Sequence, residues 1–402
     1  MCRIRRREKM TVVNPTNDEA RAIREGLKQP GEAYLHAILA RPPEMLWLNM
    51  GPYCNMQCRH CYHDYGPHRE GRMTRDVVDT VAEQLQDTSI DWICAGEGEP
   101  FADRELLLHM ASTFPGLEIM TNGYWGDTAH ERLEELQEAG FDLSRKASRL
   151  YPDVTLTSAI GVSVDDFHGQ SSYANAVAIT QAFRDVFQPK DKALGIHYTS
   201  GRKYTGEEFL DNKMLRFHLL RPLRDRLDGG GILYRQDGGI MRVQFENTRW
   251  MEIMLSDLLF VGRAAEIGGT EREYSIYDIR SPKRNHTVTV DHKGDVFFSG
   301  GLCRSDNLVF GNIFKRPLHD IVEEMMHDPL LKVMKLGDIG GLLTIMHRMG
   351  GPREYPGTSP CHICRTTLSD EKLLHKVRTA LEHADLSDEQ LMNLVYDSPV
   401  PA

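Results

Sequence analysis

Three cysteines lie close together in the sequence and could bind one metal centre. Cys54, Cys58 and Cys61 stand in GPYCNMQCRHCYHDYGP, directly after the apolar run MLWLNM. These thiolates can converge only if the chain forms a tight loop, and the flanking glycines and prolines favour such a loop. Structural zinc sites use four protein ligands, and iron–sulfur clusters normally use four thiolates. Three thiolates therefore leave one metal position open for a ligand that the protein does not supply.

The C-x3-C-x2-C spacing, followed by an aromatic residue, resembles the cluster loop of the radical S-adenosylmethionine (radical SAM) enzymes. The resemblance implies that Cys54, Cys58 and Cys61 hold a [4Fe–4S] cluster whose open iron binds S-adenosylmethionine. It also implies that one electron cleaves the sulfonium to a 5′-deoxyadenosyl radical, which abstracts a substrate hydrogen. A flavodoxin- or ferredoxin-type electron donor belongs to the same expectation. Cysteine arithmetic alone leaves a zinc knuckle as the alternative.

Other segments resemble further motifs of this family, in the order that the family requires. Gly98-Glu99-Pro100 is similar to the GGE-type segment that binds the amino group of S-adenosylmethionine. Asn122-Gly123 resembles the family's TNG segment. Ser163 and Asp165, in AIGVSVD, resemble the pair that contacts the ribose, and their spacing of two places them on one face of a strand.

Aromatic and thiol side chains near these motifs are secondary candidates. His60 and Tyr62 resemble the aromatic residues that lie near the adenine, and His60 is expected to stack rather than to bind iron, since thiolates dominate such clusters. Cys94 is expected to be a small core residue. His168 and His197 are candidates for acid–base groups that line the pocket.

The motifs follow successive strand-like runs, with amphipathic helical patterns between them. Strands are predicted at Ile90–Cys94, Leu117–Thr121, Ala159–Asp165 and Leu194–Ser200. Alternation of strand and helix indicates an α/β protein with a parallel sheet. The predicted fold is a partial (β/α)6 TIM-like barrel, in which the chemistry lies at the carboxyl ends of the strands.

The position of the sixth barrel strand stays open at this stage. Glycine-rich turns suggest an inserted hairpin of Ile232–Arg235 and Met241–Phe245, and Leu258–Val261 is another strand candidate. The glycine groups there are not a phosphate loop, because no GK[ST] follows them.

A small C-terminal α+β extension follows the predicted barrel. Thr287–Val290 and Asp295–Phe298 flank a hairpin-like turn, and Cys303, Cys361 and Cys364 come later. This order resembles a divergent twitch or SPASM extension, which implies an auxiliary iron–sulfur cluster on the three cysteines. The early cysteine that usually precedes the hairpin is absent. His362 and Asp306 are candidates for a fourth ligand.

Length and composition suit a protein of two or three domains. The chain has 402 residues and a net charge of −10, which argues against a nucleic-acid partner. No apolar run reaches the ~18 residues of a membrane span. Six of the eight cysteines are grouped in threes, like metal ligands in a reducing compartment rather than disulfides, so a cytoplasmic location is expected. The predicted division is an N-terminal polar extension at 1–44, a radical SAM barrel at 45–270 and an auxiliary domain at 271–402. The basic start, MCRIRRREK, is interpreted as a frayed tail, with Met10 as an alternative initiator.

The expected substrate is a small molecule of natural-product or sugar-like type that is dehydrogenated or epimerised. This expectation depends on the 53 residues before Cys54, which are too few for a peptide-recognition domain of the kind that many peptide-modifying relatives carry. A peptide maturase without that domain is the alternative enzyme. A zinc- or cluster-binding regulator is the non-enzyme alternative.

Overall fold

The computed structural model describes residues 32–143, 146–147, 155–156, 158–165, 167–169, 171–190, 193–200, 212, 214–237, 240–248, 250–257, 263–264, 272–275, 279, 287–298 and 306–396. The described chain falls into two compact units. Unit 1 lies within Ile119–Ser144 and Thr157–Leu258, and unit 2 lies within Asp18–Glu118, Arg145–Leu156 and Leu259–Ala402. The division at 1–44, 45–270 and 271–402 stays a prediction.

Strands and helices alternate along most of the chain, which confirms the predicted α/β class. The strands are β1 (Met45–Asn49), β2 (Trp92–Gly96), β3 (Leu117–Thr121), β4 (Lys146–Ala147), β5 (Thr155–Leu156), β6 (Ala159–Val164), β7 (Leu194–Ser200), β8 (Ile232–Asp237), β9 (Ile240–Phe245), β10 (Met251–Asp257), β11 (Arg272–Ser275), β12 (Thr287–Val290), β13 (Asp295–Phe298), β14 (Val309–Asn312) and β15 (Glu354–Gly357). The helices are α1 (Glu32–Ala40), α2 (Arg75–Gln84), α3 (Arg104–Thr113), α4 (Ala129–Glu138), α5 (Ser171–Phe187), α6 (Arg221–Leu227), α7 (Leu318–His327), α8 (Pro329–Arg348), α9 (Pro360–Leu368), α10 (Glu371–Ala384) and α11 (Asp388–Tyr396).

In unit 2, β1 lies between two parallel partners. It pairs with β2 from Met45 opposite Trp92 to Asn49 opposite Gly96, and with β12 from Met45 opposite Thr287 to Leu48 opposite Val290. The predicted hairpin of β12 and β13 is confirmed as an antiparallel pair. Leu46 and Leu48 of β1 are fully buried, so this strand is part of the core that supports the cysteine loop.

In unit 1 the strand order is β3–β6–β7–β10–β9–β8. The pairs β6–β7 and β7–β10 are parallel, while β8 and β9 form the predicted antiparallel hairpin against β10. These mostly parallel strands and their helices agree with the partial (β/α)6 TIM-like barrel. The strand that follows β7 in parallel is β10, a run that the sequence patterns did not single out, and Leu258–Val261 lies outside the described residues.

Three helix ends carry residues that are common at helix termini, and one of them lacks the side-chain hydrogen bond that such a residue usually makes. Thr74 stands at the N-cap of α2, but its side chain makes no capping hydrogen bond. Gly140 follows α4 at φ 105°, as expected for a residue just past a helix C-terminus. A capping box precedes α11, with the Ser387 N–H donating to Gln390 Oε1 at 2.8 Å and the Gln390 N–H donating to Ser387 Oγ at 3.2 Å. The described part of the chain contains no helix long and apolar enough to cross a membrane.

Candidate functional site

The three clustered cysteines lie on a loop that main-chain hydrogen bonds close. The Cys54 N–H donates to the Gly66 carbonyl at 3.2 Å, and the Gly66 N–H donates to the Pro52 carbonyl at 3.1 Å. Within the loop, the Cys61 N–H donates to the Cys58 carbonyl at 3.2 Å. The loop begins just after β1, at the carboxyl end of a parallel strand. The predicted closure by glycine and proline residues is therefore present.

The cysteines of this loop are half-buried free thiols. Burial raises the pKa of the Cys54 thiol to about 12; a backbone hydrogen bond from Met56 opposes the rise, and Glu99, Cys58 and Cys61 add negative charge that increases it. Four groups that carry negative charge when ionised thus lie near one another in a partly dry site. Cysteine thiols bind a metal only after they lose their protons and become thiolates. The positive charge of the metal centre then offsets the repulsion between the thiolates. The donor set therefore fits a metal centre with thiolate ligands.

The spacing of the three thiols distinguishes between kinds of metal centre. Among the described residues, no group of three metal-ligating atoms within 4.8 Å of one another includes any of these cysteines. Three thiolates around one zinc ion lie closer than that, because each zinc–sulfur bond is ~2.3 Å long. A cluster whose irons occupy separate corners accepts more widely spaced thiolates. The geometry fits a cluster better than a zinc knuckle.

The glycine-containing segment after β2 packs directly on the cysteine loop. Gly98 has φ 111°, and a Cβ atom at this position would lie 2.8 Å from the Gly51 carbonyl oxygen and 2.9 Å from that of Tyr53. A side chain there would meet both a strained backbone and two fixed main-chain atoms. Glycine at position 98 is therefore what lets this segment approach the loop.

Glu99 is buried beside the cysteine loop, with 3% of its surface exposed. Its Oε1 accepts a hydrogen bond from the Phe101 N–H at 3.0 Å, which caps a short helical turn at Pro100–Ala102. The side chain also lines a small pocket together with Tyr53, Arg72 and Asp103. Capping uses one oxygen of the carboxylate, and a carboxylate can accept further bonds from a cationic ligand.

Asn49 holds the loop and the segment after β2 together, and the sequence patterns gave no reason to select it. Its Nδ2 donates to Glu97 Oε2 at 2.6 Å and to Tyr65 Oη at 3.0 Å. Its Oδ1 accepts from the Gly51 N–H at 2.9 Å. Asn49 is fully buried at the end of β1. The one local sign that could have indicated Asn49 is that it is a polar residue at the end of an apolar strand.

His60 and Tyr62 flank Cys61 and contact each other. Their ring centroids are 6.5 Å apart in an edge-on arrangement, and His60 is buried. Cys94 is fully buried within β2, which confirms its expected place in the core. The adenine contacts of His60 and Tyr62 stay a prediction.

In unit 1, the predicted cofactor-binding residues lie at or just beyond strand ends. Asn122 follows β3, and its Oδ1 accepts from the Tyr124 N–H at 3.1 Å. Ser163 is half-buried in β6. Asp165 lies just past β6 with 1% of its surface exposed, and its Oδ1 accepts from the N–H groups of Phe167 at 2.7 Å and His168 at 2.9 Å. The ribose contacts of Ser163 and Asp165 stay a prediction.

The Asp165 carboxylate also orients a histidine. Its Oδ2 lies 2.8 Å from His168 Nδ1, and both side chains are buried. Such a pairing fixes the orientation of the ring. His168 thus has a defined partner, which periodicity could not identify.

Two of the three C-terminal cysteines lie on one helix. Cys361 is half-buried and Cys364 is buried on α9, whose N-cap residue Ser359 accepts from the His362 N–H at 3.1 Å. Cys303 lies outside the described residues. Arg365 of the same helix donates to the Tyr62 carbonyl of the cysteine loop at 2.8 Å. Helix α9 therefore contacts the loop directly.

Comparisons with solved structures find distant similarities. BtrN in complex with AdoMet and 2-DOIA is 16% identical over 82% of this chain and 96% of that chain, with a TM-score of 0.38. Streptococcus suis SuiB bound to its precursor peptide SuiA is 10% identical over 89% of this chain and 83% of that chain, with a TM-score of 0.44. A tagged form of anSMEcpe with bound AdoMet is 12% identical over 74% and 88%, with a TM-score of 0.39. No curated protein matches.

The family comparison covers the part of the chain that contains the cysteine loop, the Gly98-Glu99 segment and strands β2, β3, β6 and β7. Residues 48–211 match the model of the Radical SAM superfamily. This segment of the chain is therefore similar to a Radical SAM superfamily domain.

Proposed function

We propose that this protein is a radical SAM enzyme that cleaves S-adenosylmethionine reductively and uses the resulting radical to abstract a hydrogen from its substrate. The observation that carries the proposal is the closed loop of three half-buried thiols beside the buried carboxylate of Glu99. When bound there, a [4Fe–4S] cluster supplies the electron that splits S-adenosylmethionine into methionine and a 5′-deoxyadenosyl radical. A flavodoxin- or ferredoxin-type protein is the proposed source of that electron.

The residues of the chain have distinct roles in this proposal. Cys54, Cys58 and Cys61 would hold the cluster through three thiolates and would leave one position to a ligand that the protein does not supply. Glu99 accepts hydrogen bonds from the ammonium group of S-adenosylmethionine, since a buried carboxylate favours a cationic partner. Ser163 forms a hydrogen bond with the ribose of S-adenosylmethionine.

Weaker assignments concern the remaining predicted contacts. Asp165 joins Ser163 at the ribose while orienting His168. Asn122, His60 and Tyr62 contribute to the nucleoside pocket.

For the substrate, we propose a small polar molecule that is dehydrogenated or epimerised. One face of β6, β7 and β10 in unit 1 carries half-buried polar side chains, among them Ser163, His197 and Glu252. Glu252 Oε2 accepts from Arg242 Nη1 at 2.8 Å. The same face carries glycines at 161 and 195, and a Cβ at either position would lie within 3.3 Å of His197 Nε2. A polar face of this kind supports a substrate rich in hydroxyl or amine groups.

An auxiliary iron–sulfur cluster on Cys303, Cys361 and Cys364 is a further part of the proposal. Its support is that Cys361 and Cys364 lie one helical turn apart on α9, which contacts the cysteine loop through Arg365.

The decisive experiment measures 5′-deoxyadenosine by mass spectrometry. The reconstituted, reduced protein should form it from S-adenosylmethionine, while a variant with alanine at Cys54, Cys58 and Cys61 should form none. Deuterium transfer from labelled polyols, aminosugars and short peptides then identifies the substrate class. Transfer only from peptides would replace the small-molecule substrate with the maturase alternative. A fully loaded cluster that cleaves no S-adenosylmethionine would favour the regulator.

A further inference from the structure

Two arginines from the C-terminal part of unit 2 bind the segment that follows the third cysteine. The main-chain N–H of Arg263 donates to the Cys61 carbonyl at 2.9 Å, and the Arg263 guanidinium donates through Nη2 to the Tyr65 carbonyl. Arg365 Nη1 donates to the Tyr62 carbonyl at 2.8 Å. We call Arg263 and Arg365 the arginine brace. It holds three carbonyls within five residues, from Cys61 to Tyr65.

Arg263 contacts both ends of a turn that returns to the Cys61 sulfur. The Tyr65 N–H donates to Cys61 Sγ at 3.3 Å. Because Arg263 bonds the carbonyls of both Cys61 and Tyr65, it fixes the distance between this N–H and the sulfur. Hydrogen bonds to ligating sulfurs raise the reduction potential of an iron–sulfur cluster, since they stabilise its more negative reduced state.

The charge of Arg263 is also well placed to act on a cluster at Cys61. Its side chain is 11% exposed, so solvent screens it weakly. Its hydrogen-bond acceptors here are neutral carbonyls, and its carboxylate neighbour, Asp64 Oδ1, is 3.7 Å from Nη1. Asp64 is 44% exposed and also pairs with the more exposed Arg69. A buried positive charge favours the reduced state of a nearby cluster.

We propose that Arg263 is a positioning residue that sets the geometry of Cys61 and raises the reduction potential of the cluster bound there. Arg365 supports the same turn at Tyr62 and connects it to helix α9, so its effect on the potential is smaller. The C-terminal part of the chain thereby tunes a centre whose ligands come from the N-terminal part. This inference depends on the proposed cluster at Cys54, Cys58 and Cys61.

The first test measures the midpoint potential of the reconstituted cluster by redox titration with electron paramagnetic resonance. At the wild-type midpoint, the ratio of reduced to oxidised cluster should be about tenfold lower in Arg263→Gln, which for one electron corresponds to a midpoint ~59 mV lower. Arg263→Lys keeps the charge but loses the guanidinium bond to the Tyr65 carbonyl, so its midpoint potential should lie between those of Arg263→Gln and the wild type. Arg69→Gln is the matched control, because it removes an exposed cation beside the same Asp64, and it should leave the potential unchanged. Equal midpoint potentials for Arg263→Gln and Arg69→Gln would overturn the proposal that the charge of Arg263 raises the potential of the cluster.

The second test uses the metal-free protein and measures how accessible the Cys61 thiol is, without an assay of enzyme activity. Thiol alkylation is followed by peptide mass spectrometry, with Cys54 as the internal reference. Both Arg263→Gln and Arg263→Lys keep the main-chain bond to the Cys61 carbonyl but lose the guanidinium bond to the Tyr65 carbonyl. Both should therefore label Cys61 several-fold faster relative to Cys54. Unchanged relative labelling would overturn the positioning role. The proposed function fails separately, if the wild-type protein holds a full cluster and makes no 5′-deoxyadenosine.

Discussion

The same C-x2-C spacing occurs at Cys58/Cys61 and at Cys361/Cys364, on two different kinds of backbone. The first pair lies on an irregular loop, where both thiols stay half-buried. The second pair lies on the regular helix α9, where Cys361 is half-buried and Cys364 has only 3% of its surface exposed. Identical spacing therefore presents thiols differently, because a loop can aim each side chain separately while a helix fixes their relation.

The two regions also differ in how they accommodate buried charge. Thiols and carboxylates accumulate near the cysteine loop, and a positive metal centre there would offset the repulsion between them. In the C-terminal helices, Lys335 is buried with 1% exposure, and its Nζ donates to the carbonyls of Leu39 at 3.1 Å and Arg41 at 3.0 Å. Protein carbonyls suffice for this one cation. The cysteine loop therefore carries the donor groups of a cofactor site, whereas the region around Lys335 is a packed part of the protein interior.

The largest expected effect separates the two cysteine sets. Alanine at Cys54, Cys58 and Cys61 should abolish 5′-deoxyadenosine formation, whereas alanine at Cys361 and Cys364 should leave it measurable. Iron quantification and Mössbauer spectra of the triple variant should find about four irons left if the second cluster exists.

Cys94→Ala, a substitution in the core of β2, is the control and should keep the full iron content. Cleavage by the triple variant would contradict the assignment of the loop, and a complete loss of iron from it would mean that the helix pair binds no cluster.

The second prediction concerns the close approach of Gly98 to the loop. Gly98→Ala should destabilise the protein by at least the ~1–3 kcal/mol of a strained backbone and should reduce iron incorporation, because its Cβ would meet two loop carbonyls. Gly350→Ala is the matched control, since Gly350 has φ 94° but nothing within 4 Å of an added Cβ. Thermal unfolding and iron content check both variants. Equal effects would show that the contact with the loop does not matter.

The third prediction uses Lys335 as a pH reporter of the helical region. Burial lowers the pKa of Lys335 from 10.5 to about 8. Between these values the unfolded chain binds more protons than the folded one, so the contribution of Lys335 to stability rises with pH and is constant below pH 8. Relative to Lys335→Met, the free energy of unfolding of the wild type should rise by up to roughly 3 kcal/mol from pH 8 to 10.5. Denaturant unfolding across this range measures the difference, and parallel curves would contradict it.

The smallest expected effect concerns the carboxylate beside the loop. Glu99→Gln keeps an oxygen for the Phe101 N–H but removes the charge, so S-adenosylmethionine should bind about tenfold more weakly, which is ~1.4 kcal/mol. Iron content should not change. Glu105→Gln, at an exposed position on α3, is the control. Isothermal titration of the cluster-loaded protein measures both, and unchanged affinity would assign Glu99 to the turn alone.

The sequence by itself determined the features that depend on neighbouring residues. These are the thiol spacing, the glycine-bounded loop, strands such as β3 and β7, both hairpins and the capping box before α11. Hydrophobic periodicity and turn chemistry act over a few residues, so they can be read locally.

The tertiary structure alone decided the contacts between distant residues. It made β10 the parallel neighbour of β7, paired Asn49 with Glu97 and placed Arg263 and Arg365 on the carbonyls around Cys61. The two arginines are far from Cys61 in sequence, and arginines elsewhere in the chain carry the same local signals. Only packing brings these particular side chains to the loop, because a long-range contact depends on how whole elements meet rather than on the residues beside it.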